Sequence, residues 1–366
     1  PTAAYSLRSL TGGDPLAVRV RRLRDNDEED FTVSGINSGA LLNHINENGV
    51  FQNTGFETFD NASATGFIAA NTGSIGFAAS PLAGNSGTQV SVSFDISITN
   101  GSPKLMLRTA LDGSGDSASS SVTYTSSGSK THTFTATDNY VSIAFTEGDV
   151  PSNFTVSNFK ILGDGSVSIW YDQIGSNNLV QTDLGKQPLI VDSGSLFLNA
   201  DGNAGISVER SSTRETKLDF TSGFTIANSH TFQYLEFRRT FVHSLLSASG
   251  GGNIRTGRQS GTNLQILNGG SQNFDSGITV NNNPFLYTTF LAADGSASKV
   301  HVNGVEKQNT VYPNRDASQP NFVQIGKAGS NLSTPSFILS ELLMYSSEQS
   351  NRAAIEANMD SKYSIF

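Results

Sequence analysis

The clearest signal in this chain is strict alternation of apolar and polar residues. Val90-Ser91-Val92-Ser93-Phe94-Asp95-Ile96-Ser97-Ile98 changes character at every step, the period of an extended strand with one face buried. Gly55-Phe56-Glu57-Thr58-Phe59, Lys104-Leu105-Met106-Leu107-Arg108, Thr131-His132-Thr133-Phe134-Thr135-Ala136, Val141-Ser142-Ile143-Ala144-Phe145 and Phe154-Thr155-Val156-Ser157-Asn158-Phe159-Lys160-Ile161 are shorter runs of the same kind. Ser, Gly, Asn and Asp clusters separate them. Short strands with frequent turn signals predict a β-sandwich or jelly roll over residues 52–163, a stretch of ordinary domain size.

The flanking segments carry other patterns. Ala17-Val18-Arg19-Val20-Arg21 reads as a strand with one buried face, and Asp25-Asn26-Asp27-Glu28-Glu29-Asp30 as a turn or loop after it. Phe31-Thr32-Val33 begins a further strand, and Leu41-Leu42-Asn43-His44-Ile45 has the spacing of one or two helical turns. Gln187-Pro188-Leu189-Ile190-Val191 and Phe322-Val323-Gln324-Ile325-Gly326 are strands. Val300–Glu306 is a hairpin closed by Asn303-Gly304, the pair that suits a type I′ turn. Phe337-Ile338-Leu339-Ser340-Glu341-Leu342-Leu343-Met344-Tyr345 is nearly continuous in apolar residues, which predicts a central strand covered on both faces. Residues 347–363 predict a helix with Ser346 or Ser347 as N-cap and Ile355, Met359 and Tyr363 as its apolar stripe.

Composition agrees with an all-β chain. At 366 residues two domains are expected. Charged residues are only 15%, and 36 glycines serve many tight turns. A net charge of −9 argues against nucleic acid as a partner. With no cysteine, disulfides, a thiol nucleophile and cysteine-ligated zinc are all ruled out. No apolar run approaches the ~18 residues of a membrane span, so no membrane insertion is expected. Pro1-Thr2-Ala3-Ala4-Tyr5 has neither a basic nor an apolar leader region, so no signal peptide is expected. Pro at position 1 suits a chain that has lost only its initiator Met, which implies a complete product made in a cytoplasm.

Two separated segments carry a family resemblance. Ala4-Tyr5-Ser6-Leu7-Arg8-Ser9-Leu10 with Pro15–Arg22, and then Ser168-Ile169-Trp170-Tyr171-Asp172-Gln173-Ile174-Gly175-Ser176-Asn177-Asn178-Leu179, resemble the opening of the LamG/concanavalin-like β-sandwich of the α-L-arabinofuranosidase B type. The Val302-Asn303-Gly304 hairpin, and the long strand followed by a helix ending in Lys362-Tyr363, are similar to that family's later elements. Between the two segments, Gly55-Phe56-Glu57 and Phe159-Lys160-Ile161 resemble the first and last strands of carbohydrate-binding-module jelly rolls. The resemblance implies a discontinuous outer sandwich over 1–51 and 164–366, with a second sandwich over 52–163 inserted in one of its loops. No Pro/Ser linker separates the segments, in keeping with insertion.

The resemblance also bears on chemistry. Retaining glycosidases need two carboxylates about 5–5.5 Å apart. The arabinofuranosidase relatives carry one in a Met-Glu-Asn context and one in a Gly-Gly-Asp loop. The matching segments here, Asn263–Gly270 and Val323–Ser330, contain no acid, and an adjacent Cys-Cys pair is absent. Those departures imply a binding module rather than an enzyme; arabinofuranosidase-type hydrolysis and a purely structural capsid cement protein are the alternatives. Glu341 has a structural reading; Asp219 and Glu236 could line a cleft, but nothing pairs them by sequence and they read as surface acids. Trp170, Tyr171, Asp172 and Gln173 are the glycan-binding candidates, Trp170 as a stacking platform. The competing reading puts Trp170 in the core and gives Asp172 and Gln173 to loop backbone groups. Arg19, Arg21, Arg22 and Arg24 opposite Asp25, Asp27, Glu28, Glu29 and Asp30 could bind a charged partner, but fit better as solvated charges around one turn or a contact between subunits. No histidine pair has metal-ligand spacing. No cofactor is required, and calcium could be held by loop oxygens at Asp164-Gly165, Asp201-Gly202-Asn203 or Asp294-Gly295, although Asp-Gly is also an ordinary turn pair.

Tailed-phage virion proteins reuse this sandwich without enzyme activity. The resemblance therefore implies a virion surface protein made in the host cytoplasm, serving as head or tail decoration or in fibre-tip adhesion. Its partners would be other virion proteins, host-surface polysaccharide and, in an oligomer, further copies of itself. No heptad run argues for a fibre shaft.

Overall fold

The computed structural model describes residues 1–23, 26–48, 51–53, 58–59, 63–64, 75–78, 89–108, 121–135, 142–146, 153–209, 216–238, 245–248, 255–260, 263–268, 272–279, 283–292, 297–311, 321–326 and 336–365. The described chain is an all-β sandwich protein with two short helices, Val33–Asn37 and Ala40–Ile45, and a C-terminal helix, Arg352–Tyr363.

The strands pair in two separate sets. In the first, Phe337–Tyr345 is central. One edge pairs with Ser229–Phe237, and the ladder continues through Phe285–Leu291 and Ala297–Val302 to Val305–Val311. The other edge is shared by Ala3–Ser6, opposite Glu341–Met344, and Ile206–Val208, opposite Phe337–Leu339. A second run goes from Glu28–Thr32 through Leu16–Arg22, Gly165–Trp170, Leu179–Val180, Leu218–Thr225, Asn321–Ile325 and Leu246–Ala248 to Arg255–Ser260, Asn263–Asn268 and Gln272–Thr279. Leu189–Asp192 pairs into both runs and joins them.

Burial explains the long apolar strand. Eight of the nine residues in Phe337–Tyr345 are buried. Phe337, Leu339, Leu342 and Met344 belong to the main core with Tyr5, Trp170, Phe237 and Phe322. Leu343 points into a second cluster with Ala4, Phe232, Tyr234 and Leu286, closed by Met359 and Tyr363 of the C-terminal helix. The strand is apolar on both faces because the sandwich covers one and the helix the other.

The helix begins at Arg352, with Asn351 at the N-cap position and no side-chain cap bond, rather than at Ser346 or Ser347. Those serines are engaged otherwise: Ser346 N–H donates to Thr2 Oγ1, and Ser347 O and Oγ accept from Gln349 Nε2, while Gln349 N–H donates to His230 Nδ1. Met359 and Tyr363 are buried and Ile355 is half-buried, but the fully covered face also includes Glu356. The acidic run also differs from expectation. Glu28, Glu29 and Asp30 lie in a strand, because Arg21, Val20 and Arg19 stand opposite them. The helix Val33–Asn37 then begins where a strand was expected, capped by Thr32 Oγ1 accepting from Gly35 N–H.

The second set of strands lies between Glu47 and Leu162 in sequence, and among the described residues its strands pair with one another. One sheet has the order Ser121–Thr123, Lys104–Arg108, Ser142–Thr146, Ile75–Ala78, Phe51–Asn53, Thr58–Phe59. The other has Gly128–Thr135, Gln89–Asn100, Asn153–Leu162 and Glu47–Asn48, with Ser63–Ala64 also on Asn153–Leu162. The chain enters and leaves this set at one place. Glu47 pairs with Ile161, and Asn46 Oδ1 accepts from Gly163 N–H at 3.1 Å. Asn46 Nδ2 donates to Gly194 O at 2.9 Å. Gly165 is close-packed here: a Cβ would meet Ile45 Cδ1 at 2.8 Å and Val20 Cγ1 at 3.1 Å.

Candidate functional site

The Trp170–Gln173 segment begins at the last residue of the strand Gly165–Trp170, which pairs antiparallel with Leu16–Arg22. Trp170 has no exposed surface, and its ring sits 5.9 Å from that of Tyr5. With no exposed face, the ring packs in the core, and the stacking-platform reading gives way to the core-packing one. Asp172 is buried and accepts from backbone: Ala4 N–H at 2.9 Å, Ile174 N–H at 3.2 Å and Asn177 N–H at 3.3 Å. Gln173 Oε1 accepts from Leu10 N–H, and its Nε2 donates to Ser6 O and Arg8 O. These two side chains replace ladder partners that the N-terminal segment lacks. Tyr171 keeps some exposure; its hydroxyl donates to Asp30 Oδ1 at 2.6 Å, and burial with that bond pushes its pKa up to about 12. Asp30 also accepts two bonds from Arg19, which hold its carboxyl below the usual range.

The other basic residues are equally engaged. Arg21 is buried and donates to Gln187 Oε1 at 2.7 Å, Leu184 O at 3.1 Å and Asn26 Oδ1. Arg22 pairs with Asp27 at 3.3 Å. Arg24 and Asp25 lie outside the described residues.

The sandwich carboxylates hold the framework. Glu341 is fully buried and accepts from Arg8 Nε at 2.6 Å, Arg8 Nη2 at 2.9 Å, Ser6 Oγ at 3.1 Å and the Tyr363 hydroxyl at 2.9 Å. Glu236, expected at the surface, is buried instead. It accepts from Ala200 N–H at 2.5 Å and pairs with Arg238 Nε at 2.8 Å, fixing the 199–203 loop. Asp219 pairs with Lys217 at 2.6 Å and Glu356 accepts from Thr288 Oγ1 at 2.8 Å. Of the segments matched to the arabinofuranosidase acids, the loop after Gly326 lies outside the described residues.

The calcium candidates have turn duties. Asp164 Oδ1 accepts from Ser193 N–H at 2.7 Å, and Asp201 Oδ2 accepts from the Tyr234 hydroxyl at 2.9 Å. Asp294-Gly295 lies outside the described residues. Among the described residues no group of three or more His, Asp or Glu side chains is placed to hold a metal ion, and no helix is long and apolar enough to cross a membrane.

A polar face outside the motifs of the first set lies on the second set of strands. In the sheet containing Gln89–Asn100, Val92, Phe94 and Ile96 are buried while Ser91, Ser93, Asp95 and Ser97 keep exposure. The register sets Thr133 beside Ser91, Thr131 beside Ser93 and Ser129 beside Asp95; across the other edge Lys160 stands beside Ser93 and Ser157 beside Asp95. Directly paired residues share a face, so this is a hydroxyl-lined platform around one carboxylate. A bulge between Ser157 and Lys160 turns Asn158 to φ 53, and its Nδ2 donates to Asp95 Oδ2 at 2.6 Å. Ser129 Oγ donates to Asp95 Oδ1 at 2.5 Å. The Ser129 bond and then the Asn158 bond hold the Asp95 carboxyl below its ordinary range, ionised and oriented at neutral pH. The alternation of Val90–Ile98 marks this face in the sequence; the bulge has no sequence signal beyond an Asn in mid-strand.

No family model matches the sequence, and no curated protein matches it. Among solved structures, the chain is similar to a glutamate-to-glutamine mutant of a GH54 α-L-arabinofuranosidase soaked with 4-nitrophenyl α-L-arabinofuranoside. The identity is 14% and the TM-score 0.39, covering 55% of this chain. The match spans 52%, about half, of the length of that enzyme chain.

Proposed function

We propose that this chain is a non-enzymatic surface protein of a tailed-phage virion that binds host-surface glycan, with the Asp95 platform as its contact surface. The observation that carries the glycan reading is the oriented Asp95–Asn158–Ser129 group among exposed Ser and Thr hydroxyls. A carboxylate acceptor beside amide and hydroxyl donors matches the mixed donor–acceptor character of adjacent sugar hydroxyls. The non-enzymatic reading draws support from the framework bonds of Glu341, Glu236, Glu356 and Asp219, which occupy these carboxylates. The virion assignment rests on the family resemblance of the Ala4–Leu10 and Ser168–Leu179 segments. Many copies on one particle would give avidity from a weak, open site.

The test is binding of the purified protein to an array of bacterial surface polysaccharides, beside Asp95→Ala and Asn158→Ala. Retention of a defined glycan, weakened about tenfold or more in both variants, is expected from loss of a charged hydrogen bond. Equal binding by all three proteins would move the site off this platform. Reducing sugar released from arabinan by the wild type would replace the binding module with a hydrolase.

A further inference from the structure

A pair of buried histidines lies beneath the C-terminal segment. His230 is 2% exposed and His301 4%. The His230 ring stacks on Phe232 with centroids 4.6 Å apart, and Phe290 meets it edge-on at 5.7 Å. Its Nδ1 accepts from Gln349 N–H at 2.9 Å, so the neutral imidazole must carry its proton on Nε2. His301 Nε2 lies 3.6 Å from Glu306 Oε2, and its Nδ1 is buried with no hydrogen-bond partner among the described residues. Neither ring can accept a proton without losing a bond or charging an apolar site.

The surrounding charges do not welcome a histidinium. Arg352 from the helix and Lys299 from the strand that carries His301, Ala297–Val302, act on both rings. Glu348 faces His230 but is paired with Lys299 Nζ at 2.5 Å. Glu306 faces His301 from the hairpin strand. Glu356 is held by Arg352 and by Thr288 Oγ1. Burial first, then Arg352 and Lys299 and, for His230, also His301, outweigh the opposing Glu348 and Glu306 and lower both imidazoles to about 4 from an ordinary 6.5.

We propose that His230 and His301 form an acid-sensitive latch on the C-terminal helix. Protonation of His230 at Nδ1 turns the acceptor of the Gln349 bond into a second donor, and a charge on His301 adds to the repulsion from Arg352. Both effects lift the segment from Gln349 to Tyr363 off the sheet. The uncovered surface is the apolar cluster of Phe232, Tyr234, Leu286 and Leu343. Once the helix has lifted, the imidazoles return to water and titrate normally. The open form therefore binds more protons than the closed form between about pH 6.5 and about pH 4. Closure is complete above that window and weakens as pH falls through it.

Hydrogen exchange on the full chain tests this, read as protection factors corrected for intrinsic rate. Between about pH 7 and about pH 4.5, protection in Arg352–Tyr363 should fall about tenfold or more while Ser229–Phe237 keeps its own. The double variant His230→Asn, His301→Gln removes both titrations while Asn keeps an acceptor near the Nδ1 position, and its helix should hold its protection. Glu356→Gln controls for release of Arg352 by carboxyl protonation and should respond like wild type. Should the double variant not fold, NMR titration of the wild-type imidazoles decides, because helix opening must coincide with their protonation. Constant helix protection, opening while both rings are neutral, or loss of the response in Glu356→Gln would overturn the latch.

Discussion

Glu341 shows how one buried charge can fasten two chain ends. It has no exposed surface, and its four hydrogen bonds come from Ser6 and Arg8 near the N-terminus and from Tyr363 near the C-terminus. A buried carboxylate is tolerated when its lone pairs are filled and a cation compensates it. The Arg8 guanidinium grips both oxygens and also donates to Asn358 Oδ1 at 2.9 Å on the helix. Arg8→Ala strands that charge. We expect a loss of about 3 kcal/mol, the low end for breaking a buried pair, since Arg8 itself stays 19% exposed. The urea midpoint at neutral pH measures it; a change below about 0.5 kcal/mol would mean that Ser6 and Tyr363 alone hold the carboxylate.

At the scale of elements, the turn Asn303-Gly304 sets the register of its hairpin. Both residues have positive φ, 50 and 74, as a type I′ turn requires, and Asn303 Oδ1 also accepts from Leu286 N–H at 2.9 Å. Gly304→Ala should cost about 1–2 kcal/mol through the left-handed backbone, visible as a lower thermal midpoint, whereas a Gly-neutral result would show the hairpin held by its ladder alone. This hairpin was legible because its signal lies in two adjacent residues. The same holds for Val90–Ile98 and Phe337–Tyr345, where one strand carries its whole pattern. The elements that differed depend on partners outside their own segment. Glu28–Asp30 is a strand because Arg19–Arg21 pairs with it, and the helix starts late because His230 and Thr2 hold residues 346–349. The site follows the same rule. The apolar setting of Trp170 was readable locally. The carboxylate–amide contact of Asp95 with Asn158, 63 residues apart in sequence, exists only once the bulged strand is paired.

For the whole molecule, the decisive geometry is the doorway between the two strand sets. Asn46 and Gly163 are hydrogen-bonded to each other, and Glu47 and Lys160–Ile161 continue as a pair into the second set. Chain ends this close keep the loop-closure cost of the intervening strands small. Trp170, Tyr5 and Phe337 share the apolar core of the first set, and Val92, Phe94, Phe134 and Phe154 are buried on strands of the second. Joining Asn46 to Gly163 through a short glycine link should therefore leave a sandwich of residues 1–46 and 163–366 that unfolds in one cooperative step. Asn46 would keep its bond to Gly194 O across the new link. Calorimetry and near-ultraviolet circular dichroism check this, the latter because Trp170 and Tyr5 report on that core alone. A broad transition with no near-ultraviolet signal would show that the strands between Glu47 and Leu162 complete the first core rather than stand beside it.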